Sequence, residues 1–358
     1  MRKRITFWKH NFDRGGGTMV HLADGVLLLS IERLKGERSE RSLFHVLNGK
    51  RSATTLQDAF FYDLEPIFGL FPYTKYDYEK LLASFEKRGW LNRSSFTLTE
   101  AGKMLASPEA VSELFDRLGG EYRDYTTMTW KRLSLFVQTF MSLEHERTFY
   151  PVQADRLAER WVKQIVRTER EWQPLIHSFH QELETALEEV GDPYATAVVY
   201  RFTGAFETGY TYEQIASLLD VDARTARLYF LAGWNALLWK LPRDAKLLGF
   251  AHGLSSERMT LSARESYEQF SAGRTFQQVQ SQRRLRTSTI EDHVVEMAMY
   301  LDEFPLDQFV PFEQIKQVEQ LRDESSWALK PIFEQIDGIS YYQIRLVFAR
   351  LKRGETFV

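Results

Sequence analysis

The chain has 358 residues, 44% of them hydrophobic and 27% charged, with a formal net charge of -3 at pH 7. That length suits two or three domains with separate cores, and the charge balance excludes a globally basic, histone-like binder, so any nucleic-acid contact must come from a local patch. Cysteine is absent, which excludes thiol catalysis, disulfide frameworks and cysteine-based zinc sites, and fits a reducing compartment. No apolar run approaches the roughly 20 residues of a membrane span. The basic start Met1-Arg2-Lys3-Arg4 lacks the apolar core of a secretory signal. A cytoplasmic protein that meets no membrane is expected.

Residues 1–18 differ in character from the rest of the chain. Arg14-Gly15-Gly16-Gly17-Thr18-Met19 can be encoded by codons that spell a ribosome-binding site just upstream of a start, so Met19 is an expected initiator; the other reading is a basic nucleic-acid-binding tail. Residues 19–108 read as a helical and winged-helix-like domain. Leu22, Val26 and Leu29 give a first helix that Gly36 ends. Ser39 can cap a second with Leu43, Phe44 and Leu47, and Ser52 a third with Leu56, Phe60 and Leu64. Tyr78, Leu81, Leu82 and Phe85 then predict a helix stopped at Gly89, followed by strands through Trp90-Leu91 and Phe96 to Leu98 and by a helix capped by Thr99. The tip of this hairpin, Asn92-Arg93-Ser94-Ser95, offers one positive charge to DNA or is simply structural.

Ser107-Pro108 and Gly119-Gly120 mark a boundary, and residues 109–252 form the next expected domain. Amphipathic stretches at Met128–Leu143, Val152–Arg167 and Trp172–Val190 predict a helical bundle or spacer. Thr211 with Gln214 is a capping box, in which hydroxyl and amide each satisfy an orphan backbone N–H. Ile215-Ala216 and Leu218-Leu219 supply a short helix, and Asp222 can cap a longer one with Ala226, Phe230 and Leu237. Arg224, Thr225 and Arg227 would face outward and are candidate DNA-binding residues.

Residues 253–358 form the last expected domain, after a linker at 251–262. Tyr267 and Phe270 predict a helix ending at Gly273, Thr275 with Gln278 a second capping box opening a short helix, and Thr287 a cap for a third with Ile290, Val294, Met297 and Leu301. This is the helix-turn-helix order. Arg283, Arg284 and Arg286 in the turn, with Thr287, Ser288, Thr289 and His293, would face a phosphate backbone or a groove. The other reading of Arg283 is a pairing with a neighbouring carboxylate that holds the turn. Phe312–Leu321, Trp327–Ile336 and a third capping box, Ser340 with Gln343, close the chain.

Little in the sequence asks for an active site. His177, His180 and Glu184 share one helical face and could hold a metal, yet exposed His and Glu on a charged helix are ordinary. A phosphate-binding Gly-rich loop with Lys and a Gly-x-Ser-x-Gly turn are both absent. Aromatics make up 14% of the chain, but most lie at helical spacing where a core explains them. No enzyme activity, metal or cofactor is expected.

Three resemblances add to this reading. Ser266-Tyr267, Phe270, Gly273, Thr275-Phe276, Val279, Arg283, Leu285, Ser288-Thr289-Ile290-Glu291 and His293, followed by Ile339-Ser340-Tyr341-Tyr342-Gln343-Ile344-Arg345, resemble the C-terminal helix-turn-helix domain of RecQ-type helicases. Two positions depart: Gln280 stands where that domain usually has Ala, and Arg284 where it has the turn Gly. Tyr210 to Phe230 resembles the promoter-reading part of bacterial sigma factors, with Asp220 in place of the usual turn Gly. Residues Gly49 to Ala59 resemble the N-terminal region of the YpbB-like family of Firmicutes, whose gene commonly lies beside that of a RecQ-type helicase.

The resulting expectation is a mainly α, multi-domain protein with winged-helix and helix-turn-helix units and a helical spacer. The resemblances imply a non-enzymatic accessory protein that gives DNA-binding and docking surfaces to a RecQ-type helicase in DNA repair, recombination or replication. A helix-turn-helix transcription regulator and a protein-only scaffold are the alternatives. For the leader, mass spectrometry of the natural protein should find an N-terminus at or just after Met19, and peptides from residues 1–18 would contradict this.

Overall fold

The structure, a computed structural model, describes residues 22–119, 126–168, 172–240 and 258–357. The leader, Gly120 and most of the 251–262 linker fall outside these residues. Eighteen α-helices and one two-stranded hairpin are found among them, a mainly α architecture, and the chain divides into two compact units. One comprises residues up to 29 and 104–256, the other 30–103 and 257–358.

In the first unit lie the start of α1 (Leu22–Arg33), then α6 (Glu109–Arg117), α7 (Thr126–Glu144), α8 (Arg156–Thr168), α9 (Trp172–Val190), α10 (Tyr194–Val199), α11 (Tyr212–Leu219) and α12 (Ala223–Lys240). Its centre is α12, which is apolar nearly all round: Leu228, Tyr229, Phe230, Trp234, Leu237 and Leu238 are all buried. A helix with no polar face has to be surrounded. Trp130 of α7 packs edge-on against Phe230 and Trp234, with ring centroids 4.7 and 5.2 Å apart. The Trp234 indole nitrogen, fully enclosed, donates to Thr129 Oγ1 at 3.0 Å. Gly233 is required where α10 crosses, since a Cβ there would sit 2.7 Å from the Tyr194 carbonyl oxygen.

The second unit contains α2 (Glu40–Leu47), α3 (Ala53–Phe61), α4 (Lys75–Lys87), the hairpin of β1 (Leu91–Asn92) and β2 (Thr97–Leu98), and α5 (Glu100–Ala106), in which the division of the chain falls. It also holds α13 (Leu261–Ser271), α14 (Phe276–Arg283), α15 (Thr287–Tyr300), α16 (Phe312–Leu321), α17 (Lys330–Phe333) and α18 (Tyr341–Lys352). The strands pair antiparallel, Leu91 opposite Leu98 and Asn92 opposite Thr97. Phe61 of α3 stacks on Trp327 at 5.2 Å and meets Phe348 of α18 edge-on at 6.5 Å, which ties the early helices of this unit to its late ones. Arg350, 1% exposed, donates to the Ala298, Leu301 and Asp302 carbonyls and to Glu355, satisfying carbonyls at and just beyond the C-terminus of α15.

The local signals for helix starts hold at all three capping boxes, Thr211 with Gln214, Thr275 with Gln278, and Ser340 with Gln343, each of which makes both reciprocal hydrogen bonds. Ser52 and Thr99 cap as expected, but the Ser39 hydroxyl makes no cap bond. Phe61→Ala should lower stability by about 3–5 kcal/mol, measured by denaturant unfolding of the full chain; a loss under about 1 kcal/mol would mean that α3 does not share the core of α15 and α18.

Candidate nucleic-acid interface

Three turns in the chain share one local plan, a left-handed residue, a hydrophobic residue and an N-cap that opens the next helix. They are Asp220-Val221-Asp222, Arg284-Leu285-Arg286 and Gly338-Ile339-Ser340, with φ of 58°, 52° and 73° at the first residue. Only glycine adopts this conformation without strain. Asp220 and Arg284 occupy it nonetheless, so both departures from the usual turn glycine keep the expected winding.

At the first turn, two of the three outward candidates, Arg224 and Thr225, are engaged with the beginning of α1. Thr225 is 1% exposed; its Oγ1 accepts the Ala23 N–H at 3.2 Å and donates to Asp222 at 2.5 Å. Thr225 is therefore an internal residue, contrary to the outward placement expected from the sequence, because the α1 N-terminus needs an acceptor for its free amide. Arg224 pairs with buried Asp24 at 2.7 Å. Arg227 is half-buried, and its charge acts on the Tyr212 hydroxyl.

The C-terminal turn is different. Arg283 points inward: it donates to Ser266 Oγ at 2.6 Å, to Glu265 at 2.6 Å, and to the carbonyl and hydroxyl of Ser262, leaving the side chain 13% exposed. This is the turn-holding arrangement. His293, expected to face a groove, is 6% exposed, and its Nδ1 lies 2.8 Å from the same Ser266 hydroxyl. Burial, and then the nearby Arg283 charge, push its pKa below the usual value. Ser266, Arg283 and His293, three of the residues that carry the helicase-domain resemblance, thus form one internal hydrogen-bonded cluster that locks α13, α14 and α15 together.

Beyond its first turn α15 has almost no free face. Ile290 and every residue from His293 to Met299 are buried. Glu291 and Asp292 are half-buried and acidic, and Asp292 is paired with Arg345 at 2.7 Å. What remains exposed is Arg284, Arg286, Thr287 and Ser288, with Thr289 half-buried. The chain enters α15 with Arg286, not Thr287, as N-cap, and no side chain caps this end. The Thr287 hydroxyl instead accepts from Gln280 at 2.9 Å, so the position that departs from the usual Ala pins the end of α15 to α14. Neither Arg284 nor Arg286 has a carboxylate partner among the described residues. Two guanidinium groups, two hydroxyls and an uncapped helix N-terminus suit phosphate oxygens.

The winged-helix-like hairpin offers no such charge, because Arg93 at its tip is held by Glu40 at 2.9 Å and by Glu79. His180 and Glu184 are 3.8 Å apart and both exposed. Among the described residues no group of three or more His, Asp or Glu is placed to hold a metal, and no helix is long and apolar enough to cross a membrane.

The fold and this site define a helix-turn-helix protein, and residues 262–348 match the family model described as a helix-turn-helix domain. Along most of its length the chain is similar to Protein YpbB of Bacillus subtilis (strain 168): the two are 28% identical over 342 residues, covering 91% of this chain and 97% of that protein. No solved structure matches.

Substitutions at adjacent arginines should separate their roles. Arg283→Ala should cost about 1–3 kcal/mol through lost charged hydrogen bonds, whereas Arg284→Gly should stabilise by about 1 kcal/mol by relieving the left-handed backbone; equal effects in thermal unfolding would contradict the geometry. Burial lowers the His293 pKa in the folded state, so the stability this contributes is full above the usual imidazole pKa near 6.5 and falls as pH drops below it. NMR titration, assigned with His293→Gln, should find this imidazole titrating below 6.5.

Proposed function

We propose that this chain is a non-enzymatic DNA-binding protein that gives DNA-binding and docking surfaces to a separately encoded RecQ-type helicase acting in repair, recombination or replication. One observation carries the DNA contact: the entry to α15 exposes Arg284 and Arg286 just before the helix and Thr287 and Ser288 in its first turn, and follows them with Glu291 and Asp292. A groove-reading helix needs several exposed turns of base-contacting side chains. Here the second turn would bring carboxylates towards phosphate, which favours backbone contact with little dependence on sequence. The same observation weighs against an operator-reading regulator. The helicase partner rests on the resemblance of the motif residues within 266–293 and 339–345 to the C-terminal domain of RecQ-type enzymes and on the YpbB-like stretch Gly49 to Ala59.

Binding should be tested with the full chain, because α15 is enclosed partly by α3, from residues 30–103 of the same unit. The double variant Arg284→Gly with Arg286→Ala should keep or raise stability, weaken duplex binding at any sequence, and flatten its salt dependence by up to about two charges. Unchanged binding with an intact fold would contradict the DNA contact. A large preference for one duplex would favour the regulator, and absence of any salt-dependent binding the protein-only scaffold. Affinity purification from the native host should bring a helicase with the chain; its reproducible absence would contradict the partner.

A further inference from the structure

Helix α8 places Arg156, Arg160, Lys163 and Arg167 at i, i+4, i+7 and i+11, on one narrow face, and all four are exposed. The opposite face is committed to the core of its unit. Ala158 and Val162 are buried, the Trp161 ring lies 6.4 Å from Phe136, and Phe136 packs on Phe179 of α9 at 4.9 Å. The outer stripe is therefore fixed in orientation by packing.

An ordinary solvated helix interleaves its cations with carboxylates at i, i+4. On α8 the one acidic residue is Glu159, 3.3 Å from Lys163, whose side chain remains 66% exposed. Arg156, Arg160 and Arg167 have no carboxylate partner among the described residues. The neighbouring helix α9 carries Glu182, Glu184, Glu188 and Glu189, yet no ion pair joins it to the α8 stripe among the described residues. Four cations on one face of one helix, in a chain of net charge -3, are a local reversal of the overall field.

From this stripe we infer a second nucleic-acid contact, in which the outer face of α8 lies along a phosphate backbone without reading sequence. It goes beyond the helix-turn-helix reading and uses none of its residues. From Arg156 to Arg167 the helix rises about 16 Å, and duplex DNA offers a phosphate on each strand every 3.4 Å or so of its axis. The stripe thus faces a continuous row of charge. Three of its members are arginines, whose forked donors suit phosphate oxygens. A membrane surface is the poorer match. A helix lying in an interface buries its apolar face in lipid, and here Ala158, Trp161 and Val162 are committed to packing against α7, leaving Leu157 and Val166 as the exposed apolar side chains of α8.

The test is the full chain with Arg156→Gln, Arg160→Gln, Lys163→Gln and Arg167→Gln together, which keeps four exposed polar side chains and removes their charge. Circular dichroism should be unchanged. Affinity for a mixed-sequence duplex near 0.1 M salt should fall about tenfold or more, and the slope of log K against log salt by up to about 3 to 4. The Arg284→Gly, Arg286→Ala variant is titrated beside it. If that variant loses binding while the α8 variant keeps both affinity and slope, the α8 contact is overturned and the helix-turn-helix contact stands. If only the α8 variant is affected, this inference stands and the helix-turn-helix contact fails. No DNA binding by the unaltered chain overturns both. Loss of binding to phosphatidylserine vesicles or to an acidic protein, with DNA binding unchanged, also overturns it.

Discussion

The enclosure of α15 is the constraint on which the second unit depends. Seven consecutive residues, from His293 to Met299, are buried, so α13, α14, α18 and α3 must close around that helix from all sides. Enclosure also brings polar groups inside, and each finds a partner: His293 with Ser266, and Glu296 with the Thr260 amide and hydroxyl, the latter at 3.2 Å. Arg350 satisfies carbonyls at and just beyond the C-terminus of α15. Leaving any of these unpaired would cost on the order of 1–3 kcal/mol. The helix that a DNA-reading protein would lay in a groove is here the core of its unit.

That enclosure dictates what the unit can present. From Arg284 to the end of α15 the fully exposed residues are Arg284, Arg286, Thr287 and Ser288, and they form a point contact suited to phosphate. The first unit repeats the economy more severely. Its α12 is buried nearly throughout, and the residues that would face DNA at its start hold Asp24 and the Ala23 amide instead. Helix-turn-helix geometry is used here at least as much to build cores as to offer surfaces.

Much of this was legible in the sequence where the signal is local. A capping box needs only residues three apart, and all three were readable; so were the bounds of α9, set by Trp172 and by Gly191 after Val190. Burial of Thr225 and His293 was not, because both are polar residues whose partners lie 202 and 27 positions away. Part of the enclosure had a signal: Val294, Val295, Met297, Ala298 and Met299 spread over about 200° around α15, a wider apolar arc than the stripe of Ile290, Val294, Met297 and Leu301, and such breadth marks a largely enclosed helix; the remaining side is closed by His293 and Glu296, which no apolar pattern shows. The basic face of α8 is equally visible as a four-residue period, but a spacer helix accounts only for its inner side.

The central claim, that α15 meets DNA with its first turn alone, is tested most directly by hydrogen exchange of the full chain with and without duplex DNA. Amides from Arg284 to Thr289 should slow when DNA is bound. Those from Val294 to Met299, already protected by burial, should not change. Bound DNA that leaves residues 284–289 unaltered would contradict the account.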